Sequence, residues 1–164
     1  MSQHIDTKIL YFKKFKGEEM PIDYINWANS MLENDNSTTS LNILVSLREP
    51  LNIFEIEEYF KRAMSELSMK EPSNEECAKH YIRHLLKEIL NDKNNAINLA
   101  YEIYEVVREH FFNEELEIWY IWYGISEMID DFRYGDNPSN ITHELLISII
   151  VHETKKQLSN KFYI

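Results

Sequence analysis

The sequence predicts an all-α fold, a single compact domain of about six or seven mostly antiparallel helices. Three observations predict it. Apolar residues recur at spacings of three and four through most of the chain, the period of a helix that buries one face. Capping residues and a proline stand where helices would start: Pro21, Asn52 with Glu55, and Ser73 with Glu76. Only three glycines occur in 164 residues, too few for a hairpin-rich β fold or a Gly-rich phosphate cradle. A chain of this length suits one domain over 1–164, and its apolar and aromatic content excludes a disordered chain.

In order along the chain, residues 1–6 are expected to fray. Lys8–Lys16 mixes apolar residues with Lys and reads as a short helix or an edge strand. Pro21 opens a helix to about Glu33, because its missing N–H is not needed in a first turn. The polar run Asn34–Ser40 breaks it. Leu41, Leu44, Val45 and Leu47 form a short helix that stops near Arg48, since Pro50 disfavours helical geometry before it. Asn52 caps the next, with Ile56, Phe60, Ala63 and Met64 on its buried face. The capping box of Ser73 and Glu76 opens a helix through Cys77, Leu85 and Ile89. Asp92 or Asn94 starts another, with Ile97, Ala100, Ile103 and Val107 inside. Asn113 caps a fourth long helix ending near Tyr134, with Gly135 as a left-handed stop and Pro138 beyond it. Ser139 or Asn140 caps the last. The long helices start about every 20 residues, which suits antiparallel neighbours joined by short loops. No residue signature repeats with them.

The helix over 113–134 carries apolar residues around nearly its whole circumference: Leu116, Ile118, Trp119, Tyr120, Ile121, Trp122, Tyr123, Ile125, Met128, Ile129 and Phe132. A helix apolar all round is buried on several sides. It is therefore expected at the centre of the fold, with Trp119 and Tyr120 inside. The competing expectation is that one aromatic edge, Trp122 with Tyr123, faces a partner.

Charge narrows the function classes. With 17 Lys+Arg against 28 Asp+Glu the net charge is −11, which disfavours nucleic acid and anionic membranes and favours a basic protein partner. The acids concentrate between Asn98 and Asp136: Glu102, Glu105, Glu109, Glu114, Glu115, Glu117, Glu127, Asp130, Asp131 and Asp136, against Arg108 and Arg133 alone. The segment Asp130, Asp131, Phe132, Arg133, Tyr134, Gly135, Asp136 sets acids beside aromatics at a helix end, where binding residues often sit. Asp130, Asp131, Arg133, Tyr134 and Asp136 are the candidate partner-binding residues, with Arg133 expected to brace Asp130 or Asp136. The first 30 residues lack a basic-then-apolar signal pattern, and no apolar run is long enough to span a bilayer. A cytoplasmic protein is expected.

Other constellations offer chemistry. Glu102-x-x-Glu105 and Glu127-x-x-Asp130 place two carboxylate pairs on successive helices, where residues three apart share a face. Four converging carboxylates would suit Mg²⁺, a hard ion with oxygen ligands. The pattern resembles the motif of the all-α nucleoside triphosphate pyrophosphatases that include the MazG-type enzymes. That resemblance implies Mg²⁺ held by Glu102, Glu105, Glu127 and Asp130. The further Lys and Asn that the family carries in its following helix are not evident. His80 and His84 lie one turn apart, with Glu76 and Glu88 continuing the column, which suits a surface row of helix-stabilising pairs. Cys77 is alone, so no internal disulfide is available. In a first helical turn it is expected to be a small buried residue. No nucleophile elbow, P-loop or dinucleotide fingerprint occurs. Apart from the Mg²⁺ alternative, no cofactor is expected.

The preferred function is non-enzymatic protein binding. Small size, acidity, the lack of a catalytic set, and the stretches Glu117–Ile125 (EIWYIWYGI) and Ile129–Asp136 (IDDFRYGD) resemble the small acidic all-helical immunity proteins of bacterial polymorphic-toxin systems. The resemblance, mostly over residues 110–155, implies a cytoplasmic protein that neutralises a toxin made by the same cell. The pyrophosphatase and a general helical scaffold or binding domain are the alternatives.

Overall fold

The structure, a computed structural model, describes residues 4–112 and 116–164. The all-α prediction holds. The described residues form α1 (Thr7–Lys16), α2 (Pro21–Glu33), α3 (Thr39–Ser46), α4 (Ile53–Glu66), α5 (Asn74–Asn91), α6 (Ala96–His110), α7 (Leu116–Tyr134) and α8 (His143–Leu158), with 3₁₀ turns at Lys93–Asn95 and Lys161–Tyr163 and no strand. Eight helices exceed the expected six or seven. The difference lies at α1, which local chemistry makes a helix and not an edge strand. The Asp6 carboxylate accepts from the Ile9 N–H at 2.9 Å. At the other end Gly17 takes φ +68°, and the N–H groups of Gly17 and Glu18 close on the carbonyls of Lys14 and Lys13. Nor do residues 5 and 6 fray: Ile5 is buried and donates its N–H to Ser30 Oγ.

Two compact units make up the chain, residues 1–77 and 78–164, and the division falls within α5. The single compact domain expected over 1–164 is thus described as two units, each with its own core.

In the first, Phe60 of α4 is the hub. It meets the edges of Trp27 at 4.8 Å, Tyr24 at 5.2 Å and Tyr11 at 5.6 Å between ring centroids, the tilted geometry that ring quadrupoles favour. Trp27 is wholly buried and satisfies its indole N–H on Thr7 Oγ1 at 3.0 Å. Asp23 is buried in the first turn of α2, where it accepts from the Met20 N–H at 2.8 Å and from Lys13 Nζ at 2.8 Å. One carboxylate therefore caps α2 and ties it to α1. Cys77 is buried as expected, and burial pushes its thiol up to about 11, so it stays protonated.

In the second unit α6, α7 and α8 pack against one another. Trp122 is the largest side chain of this core, and its indole N–H donates to Tyr163 Oη at 3.1 Å. Phe111 and Phe162 meet edge to face at 5.1 Å. α5 joins through Tyr81, whose hydroxyl donates to Glu102 of α6, and through Arg83, which donates to the Leu158 carbonyl at 3.2 Å.

The caps at Asn52 and Ser73 are as predicted: Asn52 accepts from the Phe54 N–H, and Ser73 and Glu76 exchange two hydrogen bonds. The predicted cap at Asn113 lies outside the described residues. Two other predictions are corrected. α8 is capped by Thr142, which accepts from the Leu145 N–H, not by Ser139 or Asn140. Asn140 instead takes φ +49° in a loop clamped by Asn137, whose amide bonds both the N–H and the carbonyl of Ile141. Gly135 is not left-handed: the positive-φ residues here are Asn137 and Asn140. Close approach explains the glycine, since a Cβ would meet Asp131 Cα at 3.0 Å.

Candidate functional site

α7 divides into two faces. Ile118, Trp122, Ile125 and Ile129 follow the helical period and are buried. On the opposite side Tyr120, Tyr123, Glu127, Asp131 and Tyr134 follow the same period and are exposed, Tyr120 at 63% and Tyr134 at 83%. The expectation that Trp119 and Tyr120 lie inside is therefore overturned for Tyr120, and Trp119 is only half-buried. Trp122, expected as an alternative partner-facing residue beside Tyr123, is wholly buried. The cause is geometric: among the described residues α6 and α8 pack against α7, and the side that carries Tyr120 is left exposed.

α6 and α7 run antiparallel, and their rings form a row along the seam. Tyr101 meets Tyr104 at 5.8 Å, Tyr104 meets Tyr123 at 6.3 Å, and Tyr123 stacks on Trp119 at 4.7 Å with the ring planes 8° apart. Trp119 then meets Phe112 at 5.6 Å and Tyr120 at 5.1 Å, both edge to face. Two arginines sit on this row. Arg108 lies 5.6 Å from the Tyr104 centroid and Arg133 lies 6.0 Å from that of Tyr101, within cation–π range. The Trp119 indole nitrogen is buried without a hydrogen-bond partner among the described residues.

Carboxylates flank the rings. Glu105, Glu109, Glu117, Glu127 and Asp131 are exposed. Burial, and then the negative fields of Asp130 and Glu105, raise the Tyr101 phenol. The Lys and Arg ion pairs among the described residues lie elsewhere, for example Lys14–Glu57, Arg62–Glu58 and Lys156–Glu153.

The predicted partner-binding residues form one end of this face. Asp131, Arg133, Tyr134 and Asp136 are exposed and Asp130 is partly so. Arg133 does not brace Asp130 or Asp136. It donates to Asn98 Oδ1 and lies over Tyr101, which ties the end of α7 to the start of α6. Tyr120 and Trp119 complete the face and were not among the predicted site residues, and Tyr123, expected to face a partner only as one half of an edge with Trp122, lies exposed on it. A signal was present, since Glu127 and Asp131 mark the solvent side of α7 and Tyr120 and Tyr123 fall on the same line.

The four carboxylates of the Mg²⁺ alternative are not brought together. Glu102 accepts from Tyr81, on the α5 side of α6, whereas Glu105 and Glu127 stand in solvent. Among the described residues no three His, Cys, Asp or Glu side chains gather as metal ligands would. His152 borders an open depression of about 390 Å³ on α8, with Lys93, Lys155, Ser148 and Glu144 around it. No helix among the described residues is long and apolar enough to cross a membrane.

No family model, curated protein or solved structure matches the chain.

Proposed function

We propose that this chain is a non-enzymatic protein-binding protein that captures a basic partner through the exposed face of α7, from Tyr120 to Asp136. The observation that carries it is the placement of Tyr120, Tyr123 and Tyr134 in solvent on one line with Glu127 and Asp131. Tyr and Trp are rigid, large anchors that dominate binding energy in interfaces. Exposed carboxylates beside them steer a cationic partner and select its orientation.

The finer reading is an immunity protein, cytoplasmic, that neutralises a toxin of the same cell by covering its basic working surface. The stretches that resemble such proteins, 117–125 and 129–136, are those that build the face. Masking needs no chemistry from this chain, only a surface complementary in charge and shape.

The test is to isolate the partner by affinity capture, taking the products of neighbouring reading frames as first candidates, and then to measure association rates. Asp131→Lys with Asp136→Lys should slow association at low salt and leave the fold intact, because exposed substitutions usually shift stability by ~0.5 kcal/mol or less. The difference should shrink as salt rises, because screening acts on the encounter. An unchanged rate at low salt would place the interface elsewhere.

A further inference from the structure

We propose that the open end of the aromatic row, the Trp119–Tyr123 stack with Tyr120 beside it, seats an arginine guanidinium of the partner protein, and that Glu127 and Asp131 pair with a second arginine farther along. The inference rests on the protein-binding reading and names the partner's chemistry.

The chain's own arginines show how the row is used. Its inner rings, Tyr104 and Tyr101, already carry Arg108 and Arg133. Among the described residues no Lys or Arg lies over Trp119, Tyr120 or Tyr123; the remaining such contacts are Lys16 on Phe12, Arg62 on Tyr59 and Lys79 on Phe162. The stacked pair at 4.7 Å and the projecting Tyr120 thus offer ring surface of the same kind to an outside cation. Carboxylates make that cation favourable. Glu127 stands one turn beyond Tyr123 and Asp131 one turn further, both exposed. These offsets correspond to roughly 6 and 12 Å along the axis. Two arginines one or two turns apart on a partner helix would span them.

Arginine fits better than lysine. Its guanidinium is planar, stacks on an aromatic face and forks onto a carboxylate, whereas an ammonium is a compact and more strongly hydrated point charge. The flanking acids repel phosphate-bearing partners, which leaves a protein segment as the occupant.

The experiment uses the full chain and a labelled Ala-rich helical peptide with two arginines two turns apart, against the same peptide with lysines, read by fluorescence anisotropy at low salt. The arginine peptide should bind roughly three- to tenfold more tightly than the lysine peptide, the scale of a partly exposed cation–π contact. Tyr123→Leu should reduce the arginine peptide to the lysine level. Glu127→Gln with Asp131→Asn should weaken both peptides. Circular dichroism checks each variant, and Tyr120→Leu, at an exposed position, carries the test should Tyr123→Leu unfold. Equal binding of the two peptides, both weakened by the carboxylate changes, would overturn the ring seat while leaving the acidic binding face standing. An arginine preference that survives both ring substitutions would overturn it too. Binding by neither peptide would overturn the seat and the binding face together.

Discussion

Trp122 and Tyr163 lie 41 residues apart in sequence and meet in the core of the second unit through one hydrogen bond, Nε1–H to Oη at 3.1 Å. A double-mutant cycle on this pair measures that contact. Trp122→Phe replaces a wholly buried indole by a smaller single ring and removes its N–H. Taking ~40 Å³ of lost volume at ~24 cal/mol per Å³, the cavity costs about 1 kcal/mol. The Tyr163 hydroxyl, itself buried, loses its partner, which costs a further ~1–3 kcal/mol. Trp122→Phe should therefore destabilise by ~2–4 kcal/mol. Tyr163→Phe strands the indole N–H instead and should cost ~1–2 kcal/mol. The double variant removes both polar groups together, so its cost should fall below the sum of the single costs by ~1–2 kcal/mol. The assay is urea unfolding at neutral pH followed by far-UV circular dichroism, with unchanged m-values required before midpoints are compared. Additivity within ~0.3 kcal/mol would mean that the two groups do not interact, and the docking of residues 161–163 onto α7 would be refuted with it.

Asp23→Ala should cost ~2–4 kcal/mol, since it removes both the cap on Met20 and the pairing with Lys13; Asp23→Asn keeps a capping oxygen and should cost less, and equal urea midpoints for Asp23→Ala and the parent would refute the dual role. Stability should fall as pH rises above 9. Burial raises Cys77 to about 11 and Tyr11 to about 12, and raises Tyr24 and Tyr163 as well. The unfolded chain sheds these protons near the ordinary values of 9.0 for Cys and 10.0 for Tyr. The contribution is therefore complete below those values and is lost as pH climbs through the folded ones. Urea midpoints that stay flat between neutral pH and pH 10 would contradict this.

Most helix positions were legible in the residues, because helix starts and stops are decided by local chemistry. Pro21 at a first turn, Asn52 and Ser73 as caps, and the run ending at Tyr134 all stand where the sequence places them. Where two local signals competed, the choice was less visible. Asn140 and Thr142 both suit a helix start; the loop held by Asn137 pulls Asn140 into positive φ and leaves the cap to Thr142. α1 was ambiguous because its Lys residues blur the apolar period, while Asp6 and Gly17 mark its ends.

The sequence by itself determined the fold class, the acidic character and the exposed corner at Asp130–Asp136. Only the tertiary structure decided which side of α7 is buried. Apolar residues ring that helix nearly all round, and only Glu127 and Asp131 in its second half mark a solvent side, too little to place the aromatics of its first half; burial depends on how many neighbours pack against it, and among the described residues α6 and α8 do. The same packing gave the Glu102 carboxylate to Tyr81 and left Glu105 and Glu127 in solvent, so that the four carboxylates the sequence had set at matching spacings do not gather. It also put Tyr120 and Tyr123 in solvent beside those acids. Spacing along a chain reports which residues share a helix face, whereas whether that face meets another helix or water is settled by contacts between residues far apart in sequence.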